Sequence, residues 1–248
     1  VYDSDSNMFI SQLIQSGNSF LSLDSNGKGV LYFDSDAAKD MVRDLKEDYD
    51  KGLFTTKGTI NEYGSNLFTN GQAVFSIGSS GGASYNLPTG YSFEVGICKV
   101  PPRCSKDKVS EAEYVSQGPT LAVLNNLQES DSQKALEALY SWKFIKYITS
   151  TQVNISFTDV SGGYIPVRQS CYEDEYYKEY LEDTTEVLSL SASLVVNQIS
   201  GHYFNNPVFK GSSKARDEVG GILAQVFLNS KTIDAAFDSA VNQIKVNM

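Results

Sequence analysis

The chain has 248 residues and a formal net charge of −10 at pH 7, with 41% hydrophobic and 20% charged residues. This is an ordinary globular composition, long enough for one large domain or two small ones. The acidic balance argues against a nucleic-acid partner, because such a partner requires a basic face. No apolar run approaches the roughly 18 residues of a membrane-spanning helix, so the sequence predicts no such span.

The start of the chain and its cysteines leave two questions open. The sequence begins with Val1 and has no apolar signal region, so we expect a fragment or a processed product. Three cysteines without metal-ligand spacing indicate neither a metal site nor a disulfide framework. Cys98 and Cys104 flank two prolines and could pair, or both could be ordinary small apolar residues.

Local patterns in the first part of the chain predict two helices joined by a β-hairpin. Apolar residues recur at helical spacing before Gly17 and again before Gly52, and glycine commonly follows the last turn of a helix. The Asn26-Gly27 pair between them is a strong hairpin signal. The predicted elements are a helix over 6–16, strands over 20–23 and 29–33, and a helix over 34–51.

Further strand and helix patterns follow in the middle and at the end of the chain. Residues 91–98 alternate between apolar and polar side chains, and 121–124 form a short apolar run, so both predict strands. The charged segment 103–113 between them predicts a solvated loop. Apolar residues at helical spacing over 219–227 and 233–244 predict two closing helices.

The segment that follows residue 130 carries a distinctive helical pattern. Ser130 and Gln133 form a capping-box pair, which predicts a helix that starts near Asp131. One face of this helix is apolar and carries Ala135, Ala138, Leu139, Trp142, Ile145 and Ile148. Residues 153–157 alternate and include β-branched side chains, so by themselves they predict a strand.

A rigid turn ends this segment. Gly162 and Gly163 allow a left-handed backbone, and Pro166 favours an extended conformation at Ile165. The turn therefore presents one aromatic side chain, that of Tyr164. A plain glycine cap after an amphipathic helix is the alternative interpretation of the same residues.

Two stretches within this segment, Trp142–Gln152 and Gly163–Arg168, match a paired family pattern at its usual separation. The stretches 26–54 and 66–78 add further matches in the same order. Together they resemble the C-terminal part of the extracellular solute-binding proteins of ABC importers, in the branch that carries sugars and glycerol phosphates. The resemblance extends from about residue 17 to the end of the chain.

The resemblance implies an α/β fold: a type II periplasmic-binding-protein-like lobe with a mixed sheet and flanking helices, in a fragment that lacks most of the first lobe. Residues 1–124 and 184–248 would form this second lobe, and 125–183 would form a helical hairpin that crosses to the first lobe. The resemblance also makes 153–157 helical and makes 73–78 a buried strand after a short helix.

The resemblance also implies a set of ligand-binding residues. Ligands of open α/β sheets lie beyond the carboxyl ends of strands, where a Gly/Ser-rich turn offers N–H groups and hydroxyls. A flexible turn without a ligand is the alternative. The implied residues are Ser79, Ser80, Gly118, Gly163 and Tyr164. Pro119 departs from the family, which commonly has glycine there, and proline removes a backbone donor.

The loop before the closing helices bears on the charge of the ligand. Glycerol-phosphate-binding members of the family carry an arginine there, which binds phosphate with two parallel hydrogen bonds. Phe209 lies nearest to that position in this chain, and Lys210 follows it. A phenylalanine ring can stack on a sugar but cannot pair with phosphate, so the sequence favours a neutral sugar or oligosaccharide. A one-residue shift would restore a cation, which keeps the phosphorylated polyol as the alternative.

The function that the resemblance implies is substrate binding for an ABC importer. The expected partners are a sugar-like small molecule and a membrane permease, with no nucleic acid, cofactor or metal. The expected location is the cell envelope, as a periplasmic protein or a membrane-anchored lipoprotein. A glycan-binding surface lipoprotein and a hydrolase are the alternatives, but His202 is the single histidine and no nucleophile-elbow motif accompanies it, so we expect no enzyme.

Overall fold

The computed structural model describes residues 1–89, 93–101, 104–105, 108–109, 113–118, 120–125 and 129–248. Helices dominate these residues: α1 (Asp5–Gln15), α2 (Asp36–Asp50), α3 (Lys57–Ile60), α4 (Gly64–Thr69), α5 (Asp131–Ile148), α6 (Thr151–Ser161), α7 (Glu175–Glu182), α8 (Val187–Leu194), α9 (Ser212–Phe227) and α10 (Ile233–Asn247). Shorter turns are 3-10 helices at Ser80–Asn86 and Gln169–Cys171 and a π-helix at Val195–Ile199.

The described strands form two-stranded pairs. The pairs are β1 (Leu21–Leu23) with β2 (Gly29–Leu31), β3 (Cys104–Ser105) with β4 (Lys108–Val109), and β5 (Tyr114–Val115) with β6 (Tyr203–Phe204). The first two pairs are antiparallel and the third is parallel. The hairpin predicted around Gly27 is confirmed, and Gly27 has a φ of 76° in the turn.

The sheet is smaller than the sequence predicts. Both strand orientations occur, yet among the described residues they form separate pairs instead of one continuous mixed sheet. The described parts of the predicted strands 73–78, 91–98 and 121–124 form no ladder, apart from an isolated bridge between Ile77 and Tyr2. The expected burial of 73–78 is also wrong, since Val74 and Phe75 are exposed. A side-chain pattern does not show whether a neighbouring strand is present to complete the hydrogen bonds.

Side-chain caps explain why the main helices start where they do. Ser35 Oγ accepts a hydrogen bond from the Ala38 amide at 3.3 Å at the start of α2, and Ser130 Oγ accepts one from the Gln133 amide at 3.4 Å at the start of α5. Each cap satisfies an amide that the helix leaves unpaired and contributes about 1 kcal/mol. The predicted helix start at Asp131 is confirmed.

The main core combines the beginning and the end of the chain. Its fully buried aromatic rings are contributed by α1, the segment after β2, α9 and α10: Phe9, Phe33, Phe227 and Phe237. Phe33 lies 6.1 Å from Phe9 and 6.2 Å from Phe237, measured between ring centroids. The helices α1, α2, α9 and α10 therefore form one packed unit, and the predicted closing helices are confirmed.

The helices α5 and α6 contribute little to this core. No residue of α5 is buried, and its exposed large side chains are Leu136, Leu139, Tyr140, Trp142, Phe144 and Tyr147. A second cluster joins α6 to α7 through Ile155, Cys171 and Tyr177. Residues 153–157 are helical, as the resemblance implied and against their strand-like pattern. The helix forms because Ser150 is extended before it and Gly162 ends it in the left-handed region.

The first three residues fix the segment that precedes Ser79. The Asp3 amide donates to the Ile77 carbonyl at 2.9 Å, and the Ile77 amide donates to the Val1 carbonyl at 2.9 Å. Asp5 then accepts hydrogen bonds from the Thr56 hydroxyl at 2.5 Å and the Gly58 amide at 2.7 Å. The start of α1 is thereby held to the start of α3, and the residues before α1 are held to Ile77.

Candidate functional site

Ser79 and Ser80 lie where this segment turns into the 3-10 helix Ser80–Asn86. Ser79 caps the helix: its Oγ accepts a hydrogen bond from the Gly81 amide at 3.3 Å, and its carbonyl accepts one from the Gly82 amide at 2.9 Å. Ser79 is exposed and Ser80 is half-buried. The turn is therefore ordered by its own hydrogen bonds and still presents a hydroxyl to solvent.

The glycine turn after α6 packs directly on this 3-10 helix. The Ser84 amide donates to the Gly162 carbonyl at 2.9 Å. Gly163 has a φ of 144°, and a Cβ at this position would overlap the Ser80 carbonyl oxygen. Only glycine permits this approach without strain. The structure thus brings Ser80 and Gly163 together, two residues that the sequence places far apart.

Tyr164 closes one side of the same cluster. Its ring lies over Gly81, so close that a Cβ on Gly81 would come within 2.9 Å of the Tyr164 Cζ atom. Phe157 packs beside it, with ring centroids 5.9 Å apart. The side chain remains 46% exposed. An aromatic ring that is held on one side and open on the other can stack against the apolar face of a ligand.

Asn86 belongs to this cluster and was not predicted. Its Nδ2 donates to the Gly82 carbonyl at 3.1 Å, and its Oδ1 is buried with no hydrogen-bond partner. A buried acceptor without a partner is costly, so water or a ligand donor would stabilise it. The sequence held no periodic or motif signal for Asn86, because a lone asparagine after a glycine-rich turn is also a normal loop residue.

Gly118 lies in a second segment of the predicted site. The parallel β5–β6 pair holds that segment, and the Ser116 amide donates to the Phe204 carbonyl at 2.9 Å. Gly118 is exposed, and a Cβ there would meet no atom within 4 Å. The neighbouring Pro119, which departs from the family pattern, lies outside the described residues.

A polar group of three side chains adjoins Gly118, and we name Asn7, Gln117 and Arg216 the amide–guanidinium group. The Asn7 Nδ2 lies 3.5 Å from the Gln117 Oε1, and the Arg216 guanidinium donates to the Asn7 Oδ1. Burial lowers the pKa of Arg216, although its neighbour Asp217 acts in the opposite direction.

A signal for Arg216 was present in the sequence. Arg216, Val219, Gly220 and Leu223 recur at the spacing of one helical face, and the last three are buried in α9. A cation at that spacing interrupts an otherwise apolar face. The apolar pattern of α9 by itself does not identify Arg216, because that pattern marks only the residues expected to be buried.

Phe209 and Lys210 lie in the segment before α9. Phe209 packs against the main core, and its ring covers Gly29 so closely that a Cβ there would overlap it. Lys210 is exposed. The ring face that was expected to stack on a sugar is therefore in contact with the β1–β2 hairpin, whereas Ser80, Gly163 and Tyr164 form a cluster of their own.

Other kinds of site find little support in the described part of the chain. A groove of about 550 Å³ lies between 122–124 and α5, but its lining includes none of the predicted ligand residues. Within the described ranges, no group of three or more His, Cys, Asp and Glu could hold a metal. Cys98 is an exposed free thiol, and the side chain of Cys104 lies outside the described residues. None of the described helices has the length and apolar character required to cross a membrane.

Comparison with solved structures shows the fold. The chain is similar to the maltose-maltodextrin binding protein of the thermoacidophilic bacterium Alicyclobacillus acidocaldarius, with a TM-score of 0.60 at 14% sequence identity. The match covers 99% of this chain and 61% of that protein. The predicted type II periplasmic-binding-protein-like fold is therefore confirmed, and the chain spans less than two thirds of the relative. A search of the curated proteins finds no match.

Comparison with family models shows which protein family the chain belongs to. A family model described as bacterial extracellular solute-binding protein matches residues 1–184, which is most of the chain. The matched part includes Tyr164 and the turn at Ser79 and Ser80, which we name the serine turn. This family and the structural relative are binding proteins and not enzymes, in agreement with the prediction from sequence. The chain belongs to the bacterial extracellular solute-binding proteins.

Proposed function

We propose that this protein is the substrate-binding component of an ABC importer and captures a sugar or oligosaccharide between two lobes. The observation that carries the proposal is the half-exposed ring of Tyr164, which is held over Gly81 beside Ser80 and Gly163. A fixed aromatic face with nearby hydroxyl and backbone groups matches the amphipathic surface of a sugar.

The proposed mechanism is capture at the surface of one lobe followed by closure of the other. In the proposed division, 1–124 and 184–248 form one lobe and 125–183 crosses to the other. The exposed side chains of α5, Trp142 included, support this division because a large apolar surface is costly unless a partner covers it. The loaded protein then delivers its solute to a membrane permease from the outer side of the membrane, either free or as an anchored lipoprotein.

A binding assay on the full-length protein tests the proposal. Thermal shift and calorimetry with maltose and maltotriose should show stabilisation, and glycerol 3-phosphate and a glycerophosphodiester represent the alternative solute. Tyr164→Ala should weaken sugar binding by roughly ten-fold or more, since burial of an aromatic face is worth about 1.5–3 kcal/mol. The melting temperature without ligand should change little, because the ring is half-exposed.

The control is Tyr32→Ala, which removes a tyrosine of similar exposure from the end of the β-hairpin. This variant should bind sugar normally. Equal losses in both variants, or a large loss of stability with intact binding in Tyr164→Ala, would make Tyr164 a packing residue. Stabilisation by the phosphate compounds alone, weakening as salt screens the charges, would replace the sugar with a phosphorylated polyol and favour a role for Lys210.

A further inference from the structure

Arg216 has no carboxylate partner among the described residues, in contrast to six other cations there. Ion pairs join Lys39 to Asp234, Arg43 to Asp40, Lys46 to Asp50, Lys51 to Asp48, Lys134 to Asp131 and Lys214 to Glu218. Within the described ranges, no carboxylate lies within the 4.0 Å ion-pair distance of Arg216, although the chain carries a net charge of −10. Its bonded partner is the neutral amide of Asn7.

The environment of Arg216 makes this arrangement unusual. The side chain is half-buried between α9 and α1, with Gly220 of α9 packed against Ser6 of α1. Burial lowers the pKa of the guanidinium, which nevertheless remains charged at neutral pH because arginine is a very strong base. A partly desolvated charge that lacks an opposite charge is costly unless something else compensates it.

The contacts of Arg216 connect it with one of the predicted ligand segments, the one that contains Gly118. Asn7 lies in the first turn of α1, directly after the residues that hold Ile77 and therefore Ser79. Gln117, which contacts Asn7, precedes Gly118 in the chain. Asn7 thus links Arg216 to the segment that contains Gly118.

We propose that Arg216, with Asn7 and Gln117, binds an acidic group of the solute, so that the solute is an acidic sugar rather than a neutral one. This inference rests on the proposed function and specifies its substrate class. A guanidinium has five donors, of which Asn7 uses one, and its planar fork fits a carboxylate or a phosphate with two parallel hydrogen bonds. The two side-chain amides add further donors at the same place.

Matched solute pairs on the full-length protein provide the test. The probes are glucose against glucuronate and glucose against glucose 6-phosphate, with maltotriose as a larger neutral sugar. One acidic member should bind at least ten-fold more tightly than its neutral counterpart. Arg216→Gln should lower that affinity by roughly ten- to hundred-fold, the range expected for a hydrogen bond to a charged group. Arg216→Lys should retain part of the affinity for the acidic solute. Comparison of glucuronate with the phosphate compound shows whether the site prefers a carboxylate or a phosphate.

The control is Arg43→Gln, which removes an exposed arginine from α2 and changes the net charge equally. It should leave acidic-solute binding intact. Neutral sugars that bind as tightly as their acidic counterparts, unaffected by Arg216→Gln, would overturn this inference and leave the proposed function standing. Equal weakening of every solute in Arg216→Gln, together with a lower melting temperature, would assign Arg216 a structural role and also overturn it. Binding of none of the probes would count against both proposals.

Discussion

Aromatic side chains are buried in the packed unit of α1, α2, α9 and α10 but exposed in the helical hairpin of α5 and α6. In the packed unit the rings of Phe9, Phe33 and Phe237 are fully buried and contact one another. In the hairpin Trp142 and Phe144 lie largely in solvent. An apolar stripe therefore predicts a helix in both regions, but it predicts burial only where the same chain supplies the surface that covers it.

Replacement of one buried and one exposed phenylalanine should separate the two regions most strongly. Phe237→Ala should lower the free energy of unfolding by about 3–5 kcal/mol, because it leaves a cavity among packed rings. Phe144→Ala, at a side chain that is 60% exposed, should change it by less than about 0.5 kcal/mol. Urea denaturation of both variants measures the difference. Similar losses would show that α5 is covered as well as α10.

A substitution where the hairpin contacts the serine turn should cause a smaller loss of stability than Phe237→Ala. Gly163→Ala should destabilise the turn by roughly 1–3 kcal/mol, because alanine at this φ is strained and would overlap the Ser80 carbonyl. Gly82→Ala is the matched control, since a Cβ there meets no atom within 4 Å. Thermal unfolding and solute affinity are measured together. An unchanged Gly163→Ala variant would mean that the two segments are not in contact.

The smallest effect concerns the environment of Trp142, the single tryptophan, whose side chain is 56% exposed. In the 248-residue chain at low concentration, acrylamide should quench its fluorescence readily. Burial of each large side chain is worth about 1.5–3 kcal/mol, so the hairpin should acquire a partner as concentration rises, for example in a swapped dimer. Quenching should then decrease in step with the dimer measured by light scattering. Strong protection in the monomer would contradict the proposed separation of the hairpin.

Most helices could be predicted because their signals are local. Ser35 and Ser130 mark helix starts by capping amides three residues later, and Gly162 marks an end by its left-handed backbone. The strand over 73–78 could not be predicted in the same way. A strand needs a neighbouring strand, and the tertiary fold decides whether one is present. In the described chain, residues 73–78 find only the short contact with residues 1–3.

The residues of the candidate site also differ in whether a local sequence pattern could identify them. Ser80, Gly163 and Tyr164 were reached through the resemblance, and the structure gives a physical reason for their association in the close approach of Gly163 to the Ser80 carbonyl. Phe209 followed from the same alignment, yet its ring covers Gly29. Arg216 could have been found from periodicity alone, because its charge interrupts the buried face of α9.

The composition of the main core has a consequence for the order of folding. Phe9 and Phe33 complete their packing only against α9 and α10, which follow them far along the chain. Contacts between residues so distant in sequence close late, and they slow folding relative to a core built from neighbouring segments. A growing chain therefore remains without this core until α9 and α10 have been synthesised. For a member of an extracellular family, this delay lengthens the time during which the chain can leave the cytoplasm before it becomes compact.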